Sequence, residues 1–90
     1  MAHAHVVIHG RVQGVGFRAF VLHRAHALGV AGEVRNLPDG GVELHAEAEL
    51  SRLEDFLDEV RRGPSFARIE RFDVRRDEGG SRYRGFAITG

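Results

Sequence analysis

The chain has 90 residues, of which 42% are hydrophobic and 29% charged, so it is long enough for one packed core and too short for two. Its 13 acidic residues balance 13 basic residues, which excludes an overall field that would draw the protein to nucleic acid or to an anionic membrane. Every basic residue is arginine and cysteine is absent, which excludes a lysine nucleophile, a disulfide framework and a thiolate-ligated metal.

The first half of the chain predicts a strand, a helix and a β-hairpin. Residues 4–12 contain VVI among polar residues, a pattern typical of a strand. Apolar residues recur at helical spacing over residues 17–28, and Gly29 follows where a glycine commonly ends a helix. Residues 30–36 and 42–46 predict two strands joined by the turn LPDGG.

A second helix is predicted by an apolar stripe over residues 50–60, which begins near Glu49 and is stopped by a Gly-Pro pair. Ser51 and Glu54 have the spacing of a capping box and offer an alternative start. The sequence therefore leaves the first residue of this helix open.

Two further strands, at residues 69–75 and 83–89, are predicted on either side of the polar turn DEGGS. The order is β-α-β-β-α-β with an extra short strand at the C-terminal end. This is the order of a ferredoxin-like α+β sandwich, with two helices on one face of an antiparallel sheet. In that layout the first two strands run parallel with the third between them, so the loop that follows the first strand is expected near Asn36.

The segment GRVQGVGFR, residues 10–18, has the composition of an anion-binding loop. It leads into a helix that carries Arg18 in its first turn and no acid over residues 17–28, although the positive end of a helix dipole favours acids. A phosphoryl group would supply the missing charge, held by the guanidinium and by the N–H groups of the Gly14 to Gly16 bend. The alternative is a surface arginine after a tight turn.

Two better-known phosphate loops are excluded. The dinucleotide fingerprint is incomplete and lacks its acidic residue after the second strand, and the triphosphate loop requires a lysine. Nucleotide binding is therefore not expected.

Asn36 ends the second predicted strand and is a candidate for holding a water against a bound phosphoryl group. Its carboxamide offers one acceptor and two donors without the charge of a carboxylate. The alternative is a turn residue chosen for local backbone bonding.

The stretch GRVQGVGFR followed by GEVRNLPDGGVEL closely resembles the two signature segments of acylphosphatases, and RRGP and ARIERFDV extend the likeness over essentially the whole chain. The resemblance implies a single domain over residues 1–90 that hydrolyses the carboxyl-phosphate bond of acyl phosphates. It implies that Arg18 and Asn36 are catalytic and that the phosphate is bound by Gly14, Val15, Gly16, Phe17 and Arg18. Glu33 departs from the family pattern, which commonly has an aromatic residue there, and bears on rate and substrate preference.

The chemistry of the reaction agrees with this assignment. The leaving group of an acyl phosphate is a carboxylate, whose conjugate acid has a pKa of about 4. The reaction therefore needs positioning and charge stabilisation but no general acid. No obvious side-chain base accompanies Asn36, so the phosphate itself is expected to take the proton of the water. The expected partners are a small-molecule acyl phosphate and, as a site ligand, inorganic phosphate or sulfate. We expect a cytoplasmic monomer that needs no cofactor, nucleic acid or membrane.

Two other functions stay open as alternatives. Acylphosphatase-like domains also occur inside larger carbamoyl-transfer maturation factors, although a free-standing chain favours the enzyme. RGFAI, residues 84–88, resembles the start of the stacking motif of RNA-recognition domains, but it lies on the wrong strand and lacks the following aromatic residue. Phe86 is instead expected in the core.

Six histidines raise the question of a metal ion. His3, His5 and His9 share one face of the first strand, opposite Val6 and Ile8. No carboxylate or cysteine completes a convincing set with them in the sequence, so we expect no metal site.

Overall fold

A computed structural model describes residues 1–79 and 81–90, and these residues form two helices and a five-stranded sheet. The elements in chain order are β1 (Ala2–Arg11), α1 (Phe17–Leu28), β2 (Ala31–Asn36), β3 (Val42–Ala48), α2 (Leu50–Arg62), β4 (Arg68–Glu78) and β5 (Phe86–Ile88). None of the described helices is long and apolar enough to cross a membrane.

The strands lie side by side in the order β4-β1-β3-β2-β5. β3 pairs antiparallel with both β1 and β2, so these two run parallel, as the predicted ferredoxin-like layout requires. The short β5 adds to the outer edge of β2 in the parallel direction, so the sheet is mixed where the sequence predicts an antiparallel one. The predicted α+β sandwich with its extra last strand is confirmed.

The two faces of the sheet differ because apolar residues alternate with polar ones along the strands. Both helices pack on the face formed by the apolar positions, and the same alternation leaves the opposite face polar. The core on the helix side includes Val6, Ile8, Val34, Val42 and Leu44 from the sheet and Phe17, Val21, Ala25, Leu53, Phe56, Leu57 and Val60 from the helices.

The first helix has the predicted bounds. α1 runs from Phe17 to Leu28, and Gly29 ends it with φ 68°, a left-handed conformation that glycine adopts without steric cost. The backbone N–H at this cap donates to the carbonyl oxygens of Ala25 and His26. Periodicity and a terminal glycine were sufficient because both signals are local.

The start of the second helix differs from one of its two predicted alternatives. α2 begins at Leu50 with Glu49 at its N-cap, and no side-chain cap bond forms there within the described residues, so the Ser51–Glu54 capping box is wrong. Leu50 is 62% exposed because it lies in the first turn, beyond the stripe that packs on the sheet.

The last two strands differ from their predicted lengths. β4 extends to Glu78 because β1 begins at Ala2, and the two strands pair along their whole length. Asp77 and Glu78 of the predicted turn DEGGS are therefore in the strand, and Gly80 of that turn lies outside the described residues. The predicted strand 83–89 shortens to Phe86–Ile88. Phe86 is in the core, as expected, and its ring packs edge-on against Phe56 at 5.9 Å.

Candidate active site

The ends of β1 and β2 meet at one end of the sheet, as the topology predicts. Ile8 and Asn36 both pair with Val42 of the strand between them, so the three residues form one row across the sheet. β1 runs on from this row to Arg11 and enters the glycine loop, while β2 ends at Asn36. The two segments that the sequence singled out therefore leave the sheet side by side.

Gln13 bonds the glycine loop directly to the turn that follows Asn36. Its side-chain Nε2 donates to the carbonyl oxygens of Leu37 and Gly41, each at 2.8 Å. Leu37 is the next residue after Asn36, so this amide fixes the loop against the segment that carries the Asn36 side chain. The sequence reasoning missed Gln13 as a functional residue, although the residue lies inside the GRVQGVGFR segment.

The two glycines of the loop take left-handed backbone conformations. Gly14 has φ 73° and Gly16 has φ 79°, which a residue with a Cβ adopts only at a cost. A Cβ added at either position would meet no described heavy atom within 4 Å. The backbone conformation, and not crowding, therefore requires glycine here, and the surface beside both residues is open to an approaching group.

The first turn of α1 leaves positive charge at this surface. Gly16 is its N-cap, with no side-chain cap bond from the residues that the structure describes, and the first turn holds no acid. Among residues 1–79 and 81–90, no carboxylate oxygen lies within 4 Å of the half-buried Arg18 guanidinium. The N–H groups of a helix end and a guanidinium are both donors that favour an anion.

A cavity of about 200 Å³ lies against this loop. Its lining consists of Val12, Gly14, Gly16, Phe17, Arg18, Ala19 and Ile88. Asn36 does not line it. The side-chain oxygen of Asn36 is buried and has no hydrogen-bond partner in the described part of the chain, so an acceptor stands unused beside the loop.

A larger cavity lies against the start of α2 and has a different lining. It measures about 520 Å³ and is lined by Met1, Ala2, His3, Glu49, Leu50, Leu53, Arg76, Asp77 and Glu78. Three of these residues are acidic, which disfavours an anion, so the larger volume does not make this cavity the better candidate for binding phosphate.

Glu33 lies away from the candidate site. It alternates with Val34, whose side chain is buried on the helix side, and therefore points to the opposite, polar face. There its carboxylate accepts a 3.4 Å hydrogen bond from the Tyr83 hydroxyl. Burial raises the pKa of Tyr83, and the nearby Glu33 raises it further. Its direct contact is thus with Tyr83 and not with the glycine loop.

The fold and the loop together define a class of protein, a small α+β sandwich with a loop of left-handed glycines before its first helix. Comparison with known proteins narrows the class. The family model for acylphosphatase matches residues 4–88. A curated acylphosphatase from Roseiflexus sp. (strain RS-1) is 49% identical over 88 residues, which cover 98% of this chain and 95% of that relative. The chain belongs to the acylphosphatase family.

Solved structures agree with this membership. The crystal structure of acylphosphatase from Bacillus subtilis matches with a TM-score of 0.96 at 34% identity, covering 100% of both chains. The crystal structure of T. kodakarensis HypF matches with a TM-score of 0.85 at 33% identity, covering 100% of this chain and 12% of that chain. Family and fold together support an enzyme that hydrolyses acyl phosphates.

Proposed function

We propose that residues 1–90 act as one domain that binds the phosphoryl group of an acyl phosphate at Gly14, Val15, Gly16, Phe17 and Arg18, and that Asn36 positions the attacking water. The observation that carries the proposal is the Gln13 side chain, whose two 2.8 Å hydrogen bonds tie the glycine loop to the segment that begins at Asn36. In this proposal the bridge fixes the anion site and the water-holding group relative to each other.

The bound phosphoryl group would be held by charge and by backbone donors. The left-handed glycines expose successive N–H groups of the loop, and the first turn of α1 adds its own free N–H groups. Arg18 provides a forked pair of donors that matches two phosphoryl oxygens. These groups stabilise the charge that spreads over the equatorial oxygens in phosphoryl transfer, which is the main task in this reaction.

Asn36 would orient the nucleophile. Its side-chain oxygen is a buried acceptor that still lacks a donor within the described residues, and a water O–H would satisfy it. A water held in this way directs a lone pair of its oxygen toward phosphorus. Because a carboxamide carries no charge, it does not repel the anion beside it.

These proposed roles define which bonds form and break and where the proton goes. The new bond joins the water oxygen to phosphorus, and the bond between phosphorus and the carboxyl oxygen breaks. The leaving carboxylate has a pKa near ~4 and departs without protonation. The proton of the water goes to a phosphoryl oxygen, and the products are a carboxylate and inorganic phosphate. Charge is supplied by Arg18 and the backbone, so the mechanism uses no metal ion.

RNA binding through residues 84–88 would require an exposed aromatic ring on which a base can stack. Phe86 is only 6% exposed and is packed edge-on against Phe56, so it offers no open ring face to a base. The alternative that such a domain forms part of a larger protein has support in the match to T. kodakarensis HypF, of which this chain covers only 12%.

Hydrolysis of benzoyl phosphate by the purified chain, measured with a chelator present, tests the proposal. We expect turnover that persists with the chelator and is competitively inhibited by inorganic phosphate. A protein that binds phosphate but turns over no acyl phosphate would contradict the enzymatic function and favour a phosphate-binding module.

A further inference from the structure

The polar face of the sheet, opposite the helices, carries a cluster of histidine and carboxylate side chains. We call His5, Glu43 and His45 the open-face cluster. His5 and His45 are directly paired across β1 and β3, and their rings stack at 4.4 Å with an interplanar angle of 10°. Glu43 lies two residues before His45 and therefore on the same face of the sheet.

The nitrogen and oxygen atoms of this cluster converge. One potential ligand atom from each of the three residues lies within 4.8 Å of the other two. His5 Nε2 and the Glu43 carboxylate are 2.8 Å apart. Two ligands of one tetrahedral zinc ion, each about 2.0 Å from it, stand about 3.3 Å apart, so the atoms are near the required separation, and binding requires the two imidazole rings to rotate out of their stacked arrangement. The sequence did not reveal that Glu43 lies beside His5 and His45.

Neighbouring groups hold two members of the cluster in place. The Asp77 carboxylate accepts from His3 Nδ1 at 3.1 Å, which leaves the lone pair of His3 on Nε2. This Nε2 lies 3.2 Å from His45 Nδ1, which donates to it and leaves the His45 lone pair on the remaining nitrogen. His3, in the middle of this relay, is only 4% exposed, whereas the Asp77 side chain is 60% exposed.

Glu43 is oriented from its other side. Arg35 Nε donates to one carboxylate oxygen at 2.7 Å, while the second oxygen faces His5. A hydrogen bond to the carboxylate oxygen that does not bind the ion is the usual support of a metal-ligating carboxylate. For His45 the corresponding support at the far nitrogen comes from the His3 ring, which Asp77 holds in turn.

We propose that His5, Glu43 and His45 bind a divalent transition-metal ion of the zinc class, with Asp77, His3 and Arg35 as positioning residues. Imidazole and carboxylate ligands suit this class of ion and disfavour magnesium or calcium. All three ligand side chains are partly exposed, so a water completes the coordination on the solvent side.

The proposed metal site is separate from the glycine loop. The cluster faces away from the helices, whereas Asn36 follows the alternation of Val34 toward them. The metal would clamp β1 to β3 and take no part in phosphoryl transfer.

Isothermal titration calorimetry of the chelator-treated full chain with zinc chloride at neutral pH tests the site. We expect saturable binding at one ion per chain. His5→Ala and His45→Ala are expected to weaken it at least tenfold, and His3→Gln about tenfold through loss of support. His23→Ala is the matched control, because His23 is exposed on α1, and it is expected to leave the affinity unchanged.

Three results would overturn the proposal: no saturable binding to the unmutated chain, unchanged affinity in both His5→Ala and His45→Ala, or a larger loss in His3→Gln than in His45→Ala. Should the alanine variants not fold, Glu43→Gln keeps the side-chain shape and is expected to weaken binding at least tenfold. Absorption of bound cobalt(II) gives a second readout, because tetrahedral nitrogen and oxygen ligation produces strong visible bands that an octahedral aqua ion lacks.

Discussion

The two helices differ in whether an acidic side chain lies beside the arginine of the first turn. Each helix carries an arginine in its first turn, Arg18 in α1 and Arg52 in α2, and neither has an acid in that turn. At α2, however, the N-cap residue is Glu49, and its carboxylate lies 3.7 Å from Arg52. At α1 the N-cap is Gly16, and the described chain places no carboxylate beside Arg18.

The cavities at the two helix starts repeat this contrast. The one at α2 is lined by Glu49, Asp77 and Glu78, and the one at α1 has Arg18 and no acidic residue in its described lining. The lesson is that an arginine near a helix start does not by itself indicate an anion site. What distinguishes α1 is that no acid among the described residues balances its charge and that it follows a loop of left-handed glycines.

Replacing each of the two first-turn arginines is expected to give the largest difference in activity between the two helix starts. We expect Arg18→Ala to lower kcat/KM for benzoyl phosphate about 10³-fold, because it removes the charge that stabilises the transferring group. Arg52→Ala, in the first turn of α2, is expected to leave kcat/KM unchanged. Steady-state kinetics of both variants provide the measurement. Equal losses of kcat/KM in the two variants, or substantial hydrolysis by Arg18→Ala, would contradict the proposed role of Arg18.

The Asn36→Ala variant tests whether a water-positioning side chain stands beside the start of α1, as none is proposed to do at α2. Asn36→Ala is expected to lower kcat about 10²-fold, with a smaller change in phosphate affinity, because the phosphoryl donors stay in place.

Asp39→Ala is the control for Asn36→Ala because it disturbs the same turn. It removes an acceptor from the Gly41 N–H and the His9 ring but keeps the carboxamide. A similar kcat in the two variants would mean that the turn, and not the Asn36 side chain, matters.

The two glycines that flank α1 offer a matched pair for the role of backbone conformation. Gly16 and Gly29 have φ 79° and φ 68°, and an added Cβ would meet nothing or only the flexible end of Arg52. Alanine at either site is expected to reduce the free energy of unfolding by about 1 kcal/mol. Only Gly16→Ala is expected to lose activity, about tenfold. Equal activities at equal stabilities would show that the loop conformation is dispensable.

The Gln13 bridge gives the smallest expected effect. Gln13→Ala removes both bonds to the turn, while the carbonyl oxygens of Leu37 and Gly41 keep their backbone bonds from the N–H groups of Gly40 and Leu37. We expect a loss of a few fold in kcat, because the loop and Asn36 are then less well fixed to each other. Gln13→Glu, which keeps the length but not the donors, should behave like Gln13→Ala. Full activity in both variants would remove the bridge from the account.

Local signals in the sequence predicted much of this fold. The bounds of α1, its terminal glycine, and the alternation that places His5 and Val6 on opposite faces of β1 depend on neighbouring residues alone. The strand order then followed from the element order, and it brought Asn36 beside the glycine loop.

Contacts between distant residues were beyond the sequence. Gln13 reaches carbonyl oxygens 24 and 28 positions away, and Glu43 meets His5 across 38 positions. Both contacts depend on strand register and on side-chain length, which no short window of sequence contains. The parallel direction of β5 was missed for the same reason, since the hydrophobic pattern of a strand does not fix its direction.

The binding of inorganic phosphate, followed residue by residue, tests the central claim most directly. In a titration of the isotope-labelled chain monitored by amide NMR, we predict saturating shifts for Val15, Gly16, Phe17 and Arg18 and none for residues 50–53. Phosphate that shifts the amides at the start of α2 equally, or leaves those of the glycine loop unmoved, would contradict the account.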